Sequence, residues 1–565
     1  MFSVTEVISS YYPSLANKPW LFNPLTTLLK KLLHEKEFIN FAELYPYLQG
    51  MDFVEQVLEH FEFSYSVRNK EKERIPSTGR VVIIANHPIG SLDGLALLKL
   101  ITEVRSDVKV VANQMLMALK PLHPMLLPVN NMQGGTFRGC ITGMSNHLKN
   151  EGALIIFPAG EVSRLGSKGV RDGKWHGGFL KLARSNKAPI LPVLIEGKNS
   201  SVFYGLSLIY RPLGTLLLVK EMFKQRSKHL PVRIGEIIPY ESFGAAKISV
   251  TQQVKLFKKH LYLIPKKKPL VFLTQKAIAL PENRKDLSQS IQKECEHLGE
   301  TGDGKDIYLY RYQDSSPILR EIGRLREVAF RAVGEGSHQR RDTDRYDRHY
   351  LHLILWDKKD LEIVGAYRLG ESQKIVDKFG IEGLYTSSLF TFYPCMDVVL
   401  ANGLELGRSF VQPQYWGKRS LDYLWLGIGA FLKKYPHYRY LFGPVSISNS
   451  YPKAAKDLLI EFYQLYFHSS ERFASSKSPY QMDEAPFKTF SGSDYREDFI
   501  QLKSLLANIG VAVPVLYKQY SELYEPGGVK FLAFGLDTEF SDCVDGLALA
   551  DITALKTSKR LRYMG

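Results

Sequence analysis

Between Val81 and Pro239, five short apolar runs (VVIIAN, DVKVVAN, GALIIFP, APILPVLIEG and VRIGEIIP) are separated by stretches with helical spacing. This alternation constrains the fold more than any other feature, because strands that alternate with helices are joined by crossovers and line up as a largely parallel sheet. An α/β domain of this kind carries its functional loops at the strand ends. The chain has 565 residues, more than one core usually organises, so a second domain is expected.

Residues 1–80 contain LFNPLTTLLKKLLHEKEF and MDFVEQVLEHFEF, both with apolar residues at three- and four-residue steps, and read as a helical N-terminal region. The first stripe, Trp20, Leu21, Phe22, Leu25, Leu28, Leu29, Leu32 and Leu33 beside Lys30 and Lys31, suits either a membrane surface or packing on its own domain. Residues 81–270 form the α/β domain. LIPKKKPLVFLTQKAIALPENRKDLSQS then breaks the pattern with prolines and charges, and 271–310 reads as a linker. In 311–565, HYLHLILWD, LEIVGAYRLG and ANGLELGRSFV are strand candidates, followed by the helix SLDYLWLGIGAFLKKY and the strand RYLFGPVSI, a mixed α/β arrangement.

Charge separates the two halves. Residues 1–270 hold 36 Lys and Arg against 20 Asp and Glu, whereas the remainder holds 38 against 38, so the net charge of +16 is N-terminal. Residues 201–270 alone carry 13 basic and 3 acidic side chains. Such a surface attracts nucleic acid, anionic lipid headgroups or an acidic carrier protein, or is a solvated face without a partner. Nucleic acid is the least expected, since zinc-finger, RRM-like and KH-like signatures are absent. The cysteines Cys140, Cys295, Cys395 and Cys543 lie far apart, which argues against a zinc site and a disulfide framework and fits reducing cytosol. MFSVTEVISSYYPSLANKPW lacks the basic-then-apolar order of a secretory signal, and no apolar run reaches the ~18 residues of a membrane span. The expected location is cytoplasmic, peripheral on the inner face of the cell membrane.

At the end of VVIIAN, His87 and Asp93 are separated by five residues. No such spacing brings two side chains to one face of a continuous helix, so the pair must straddle a turn, with Pro88 and Gly90 bending the chain and Ser91 capping a helix from about Leu92. An imidazole is the side chain best suited to remove a proton near neutrality, and a carboxylate on its other nitrogen fixes the tautomer. There is no G-x-S-x-G elbow, so no serine nucleophile is placed for covalent catalysis. In FPAGEVSR, Gly160 permits close backbone approach, and Arg164, Lys168 and Arg171 are cations suited to a carboxylate or phosphate. NHPIGSLDG, FPAGEVSR and APILPVLIEG, in this order, resemble the boxes of the PlsC-type glycerolipid acyltransferases. The resemblance implies O-acyl transfer with His87 as base and Asp93 as its orienter, and substrate contacts from Asn86, Gly160, Glu161 and Arg164. Two departures, the extra residue between His87 and Asp93 and Ala159 in place of the box glutamate, point away from a glycerol phosphate acceptor.

The second half contains EIGRLREVAFR, DTDRYDRHYLHLILWD, EIVGAYRLG and LELGRSFVQPQYWG. The DTDRYD acids lack the later ligands of an EF-hand, so no metal is expected. Together the segments resemble the GNAT superfamily, within it the ornithine-lipid N-acyltransferases and acyl-homoserine-lactone synthases. The resemblance rests on Arg326, Asp344 to Asp347, Arg368 and Glu405 to Val411. It implies that Glu405 deprotonates an amine, while Arg368 and Arg408 hold an amino-acid carboxylate; in the alternative, Glu405 and Arg408 brace the sheet. The acyl-donor loop falls on Gln414, Gly417 and Arg419, and Arg419 favours a carrier-protein phosphate over coenzyme A. The later acids Asp537, Asp545 and Asp551 suit a cationic acceptor.

The union resembles the bifunctional ornithine-lipid synthases. It implies N-acylation of an amino acid with a 3-hydroxyacyl group by the second half, then O-acylation of that lyso-lipid by the first. No cofactor is bound, the donor is acyl-acyl carrier protein or acyl-CoA, and the carrier protein and an anionic membrane surface are partners. One alternative is a 1-acylglycerol-3-phosphate or other lysophospholipid acyltransferase with a non-catalytic GNAT-like module; another is a nucleic-acid-binding protein.

Overall fold

The computed structural model describes residues 5, 19–32, 34–113, 116–129, 138–167, 169–209, 217–245, 248–266, 268–483 and 489–565. It divides into two units, Met1–Ala277 and Ile278–Gly565.

The first unit opens with helices α1 (Pro19–Leu32), α2 (Glu35–Leu44) and α3 (Gly50–His60). On the α1 stripe Leu28 is 63% exposed, while Leu33 and the side chains of Trp20, Leu21, Leu25 and Leu32 lie outside the described residues. Next come β1 (Ser64–Ser66), β2 (Val81–Ala85), α4 (Ser91–Thr102), β3 (Val108–Asn113), β4 (Leu126–Val129), α5 (Arg138–Lys149) and β5 (Ala153–Ile156). A hairpin of β6 (Arg164–Gly166) and β7 (Gly169–Arg171) precedes α6 (Gly178–Ser185), β8 (Ile190–Ile195), α7 (Ser201–Ile209), β9 (His229–Ile234) and α8 (Val250–Leu261). The sheet order is β1-β9-β8-β2-β5-β3-β4, parallel from β8 to β4, with β9 antiparallel to β8.

Strand β2 reads as an unbroken apolar run because both of its faces are covered. Ile83 and Ala85 pack with Leu92 and Ala96 of α4, whereas Val82 and Ile84 pack with Phe179 and Leu182 of α6. All five β2 residues are fully buried, at about 1.5–3 kcal/mol for each large apolar side chain. β2 is therefore a rigid central strand, and its C-terminal end a fixed platform.

In the second unit the stretch 271–310 departs from the expected linker. Helix α9 (Arg284–Glu294) and strand β10 (Cys295–Glu300) form inside it and belong to the folded unit. Asn283 caps α9 by accepting from Lys285 N and Asp286 N, and only Leu287 and Ile291 are buried along it, so its polar surface masks the helix in sequence. Then follow β11 (Asp306–Arg311), α10 (Pro317–Ala332), β12 (Leu351–Asp357), β13 (Glu362–Glu371), β14 (Gly403–Val411), α11 (Ser420–Lys434), β15 (Tyr440–Ile447), β16 (Val529–Asp537) and β17 (Cys543–Asp551). The sheet runs β10-β11-β12-β13-β14-β15-β17-β16, antiparallel except at β14–β15. Those two strands pair only where Gly403–Glu405 meets Tyr440–Phe442 and then separate. Helix α11 packs on one face with Leu353 and Val364, and α10 on the other with Ile354 and Ala366. Among the described residues no helix is long and apolar enough to cross a membrane.

Candidate functional site

The β2–α4 turn places His87 beside Asp93. Helix α4 begins at Ser91, not Leu92, and the cap position falls to Gly90 at φ 119°, a conformation L side chains rarely adopt. Asp93, fully buried, reaches back over the turn: Oδ2 accepts from Ile89 N (2.9 Å), and Oδ1 from Gly90 N (3.2 Å) and Gly94 N (2.9 Å). Its charge sits in the first turn of α4, where the helix dipole favours it. His87 Nδ1 lies 3.1 Å from Asp93 Oδ1, within ion-pair distance but not aligned as a hydrogen bond. Burial pulls the His87 pKa down, but Asp93 and then Asp172 outweigh it and hold the imidazole above its usual value.

Asp172 is a member of this site that the motifs did not reveal. It accepts from the His87 backbone N–H (3.2 Å), Ser163 Oγ (2.5 Å) and Trp175 Nε1 (2.8 Å), while Ser163 N donates to His87 O (2.7 Å). The backbone of His87 is thus held on both sides, by Ser163 of the second box and by Asp172 after it. Burial raises the Asp172 pKa despite these donors. The sequence signal was thin: an acid in the run RDGKW, with a tryptophan three residues on.

The other expected contacts divide. Asn86 uses both ends of its amide on strand β8, Nδ2 donating to Ile195 O (2.9 Å) and Oδ1 accepting from Ile195 N (2.7 Å), so it fastens the turn and does not face a substrate. Gly160 turns back at φ 65°, and its exposed neighbour Glu161 faces solvent. Ala159 is 4% exposed in the cluster of Val82, Ile84 and Trp175, an apolar environment where an unpaired carboxylate is costly. Arg164 donates to Ser207 Oγ (2.6 Å) and lies over the Phe203 ring. Lys168 lies outside the described residues. Arg171 joins Lys255, Lys258, Lys259 and Lys266 around a basic groove of about 380 Å³. Lys258 Nζ donates to the carbonyls of Asp172 and Gly173, both at 2.6 Å, which ties this groove to the His87 loop.

In the second unit the boxed charges largely satisfy one another. Arg368, fully buried, donates through Nη1 to both oxygens of Asp344 (2.7 Å each) and to Asp347 Oδ1 (3.2 Å), and its guanidinium lies over the Tyr350 and Tyr385 rings. Arg326 Nη1 donates to Asp347 Oδ1 at 2.7 Å. Although burial opposes it, these arginines hold Asp347 far below the usual carboxylate range. The bonds of Arg368 to these acids all run through Nη1, while its buried Nε and Nη2 have no hydrogen-bond partner among the described residues. Glu405 is also sealed in: Oε2 accepts from the Tyr350 hydroxyl and Oε1 from Thr386 N (2.7 Å), and burial raises its pKa. The expected base and one expected carboxylate clamp thus form part of the sheet's internal bracing.

Arg408 differs. It adopts φ 48°, unusual for any residue but glycine, and lines a cavity of about 380 Å³ between the separating strands β14 and β15. Its side chain is 13% exposed, with Nε 3.3 Å from Asp342 and Nη2 3.8 Å from Asp344. Of the three later acids only Asp545 lines this cavity; Asp537 accepts from the Tyr385 hydroxyl and Asp551 pairs with Arg439. On the expected donor loop, Gln414 Nε2 donates to Glu362, Gly417 has φ 74°, and Arg419 stands exposed at the cap of α11.

Comparison with known proteins agrees with this division. Residues 6–269 match the family model described as an acyltransferase, and 325–426 that of an acetyltransferase (GNAT) domain. Over 274 residues the chain is 31% identical to a glycine N(alpha)-acyltransferase of Bacteroides thetaiotaomicron, covering 46% of this chain and 80% of that protein. Over 230 residues it is 31% identical to a lyso-glycine lipid O-acyltransferase of the same organism, covering 40% of this chain and 84% of the relative. An L-ornithine N(alpha)-acyltransferase of Brucella abortus is 30% identical over 124 residues, 20% of this chain and 42% of that protein.

Proposed function

This chain belongs to the acyltransferases, joining a PlsC-like acyltransferase domain to a GNAT domain, and from that premise we propose that it makes both acyl bonds of one diacylated aminolipid. The GNAT half forms an amide between an amino acid and a 3-hydroxyacyl group. The PlsC-like half then esterifies the free hydroxyl, with His87 as the base and Asp93 as its orienter. One observation carries the reading: an amide-forming and an ester-forming relative each match this single chain over at least 80% of their own length.

The favoured amino acid is glycine, because the ornithine relative is matched over only 42% of its length. In the ester-forming step His87 removes the acceptor hydroxyl proton as the oxygen attacks the thioester carbonyl, and Asp93 stabilises the imidazolium. Ala159 supports an acceptor without phosphate, since the box acid is replaced by an apolar contact. Acyl carrier protein is the proposed donor, supported by the exposed Arg419 and the basic groove around Lys258. The surplus cations of the first half support a peripheral position on the inner, anionic membrane face.

Expression in a host without aminolipids, followed by mass spectrometry of the lipid extract, tests this. Diacylated glycine lipid is expected from the wild type and the mono-acylated form from His87→Ala; an unchanged diacyl product in the variant refutes the role of His87. The sealing of Glu405 supports a second reading, a lysophospholipid acyltransferase with a non-catalytic GNAT module, and the absence of any N-acyl product from the wild type decides for it.

A further inference from the structure

The cavity between β14 and β15 brings Arg408, a residue of the GNAT box, to the same space as two acids that lie outside the motifs. After Phe442 the two strands diverge, and Leu406 to Ser409 on one side face Pro444 to Ser446 on the other, above an aromatic floor of Tyr367 and Tyr520. Three charged side chains line this largely apolar space: Arg408 from β14, Asp545 from β17 and Glu335 from the segment after α10. Asp545 is 3% exposed and accepts from Ser446 Oγ at 2.7 Å. The Glu335 carboxylate has neither a hydrogen bond nor an ion pair among the described residues. Arg408, in its left-handed conformation, is paired with Asp342 and Asp344 and lies over the rings of Tyr385 and Phe540 at 4.8 and 4.6 Å. A part-exposed acid and an arginine that line one cavity offer opposite charges to the two ends of a zwitterion.

We propose that this cavity is the acceptor site for amide formation, where Glu335, rather than Glu405, takes the proton from the ammonium of an α-amino acid whose carboxylate rests on Arg408. Asp545 is a positioning residue that acts through Glu335. The inference rests on the N-acylation reading above. The step balances as follows: the ammonium gives one proton to the Glu335 carboxylate, and the freed lone pair forms the C–N bond at the thioester carbonyl. The C–S bond breaks, the second nitrogen proton leaves with the departing thiol, and Glu335 releases its own proton to solvent.

The groups facing Glu335 are Asp545, Arg408, the Tyr451 phenol and the Cys543 thiol. Burial and then Asp545, opposed by Arg408, push its pKa up to about 7. The rate of N-acylation is therefore expected to rise with pH through that value as the carboxylate ionises.

The test uses the purified full chain with glycine and a 3-hydroxyacyl thioester, following the N-acyl product across pH. Esterification of supplied N-(3-hydroxyacyl)glycine by the same preparation reports the integrity of the fold. Glu335→Gln is expected to lower N-acylation by about a hundredfold and abolish the limb near pH 7, with esterification unchanged and partial recovery in Glu335→Asp. Asp545→Asn is expected to move the limb to lower pH, which a merely structural role would not do. An active wild type with Glu335→Gln within about threefold of it, or with its limb intact, overturns the proposal alone. A wild type that acylates neither glycine nor ornithine overturns the N-acylation reading, and this one with it.

Discussion

Replacing Asp93 with asparagine separates the two tasks of that carboxylate. In the protein its oxygens receive three backbone N–H groups, from Ile89, Gly90 and Gly94, and face the His87 ring at 3.1 Å. Asparagine retains one acceptor oxygen and turns an NH2 toward the rest, so at least one buried N–H loses its acceptor, at about 1–3 kcal/mol of stability. The effect on rate is larger. Without the Asp93 charge, burial dominates the His87 titration and the ring becomes a weaker base, while the imidazolium formed during transfer loses its counter-charge. Esterification is expected to fall by about 10²- to 10⁴-fold, or about 3–5 kcal/mol of barrier. The sign of the pH effect is also fixed. In its proposed role His87 must be neutral to act, so activity is expected to rise as pH passes above its pKa, and in Asp93→Asn this rise is expected at lower pH than in the wild type. Purified full chain, a mono-acylated glycine acceptor and an acyl thioester, with diacyl product followed by mass spectrometry from about pH 5 to about pH 9, provide the assay, with a thermal melt to verify folding. A folded Asp93→Asn within about threefold of wild-type activity, or with an unmoved acid limb, refutes the pairing.

Three further outcomes are expected. Asn86→Ala removes both partners of the Ile195 peptide and should lower stability by about 2–4 kcal/mol, read as a shift in denaturant midpoint. Ala159→Glu places an unpaired carboxylate among Val82, Ile84 and Trp175, and thermal melts should show a loss of several kcal/mol, not a gain of phosphorylated acceptors in a product assay. Asp347 has a folded-state pKa held below its unfolded value, so its stabilisation is present above about pH 4 and is lost as pH falls below it; Asp347→Asn should flatten that part of an acid-unfolding curve.

The legible parts of this chain were those whose local pattern agrees with their environment. VVIIA reads as a buried strand because both sheet faces cover it, and the five residues between His87 and Asp93 require the turn that Gly90 makes. Polar helices were less visible: RKDLSQSIQKE buries two side chains and resembles a linker until Asn283 and the strand beside it are considered. Charge motifs misled for a related reason. Glu405 and Arg368 occupy the positions where the GNAT resemblance puts reactive groups, yet whether a buried charge meets a ligand or another side chain depends on tertiary partners, here Tyr350, Thr386, Asp344 and Asp347. Asp172 and Glu335 carry little local signature, because segments distant in sequence bring them beside His87 and Arg408, and Asp545 is legible in sequence only as one of three late acids.

The grip on the His87 peptide has a consequence for control. With its N–H bound to Asp172 and its carbonyl to Ser163, the His87 backbone is fixed, and only its side-chain torsions are free to adjust. On the proposed function, a base held in this way carries no switch of its own, and the ester step is expected to follow acceptor supply and to clear mono-acylated lipid as it forms.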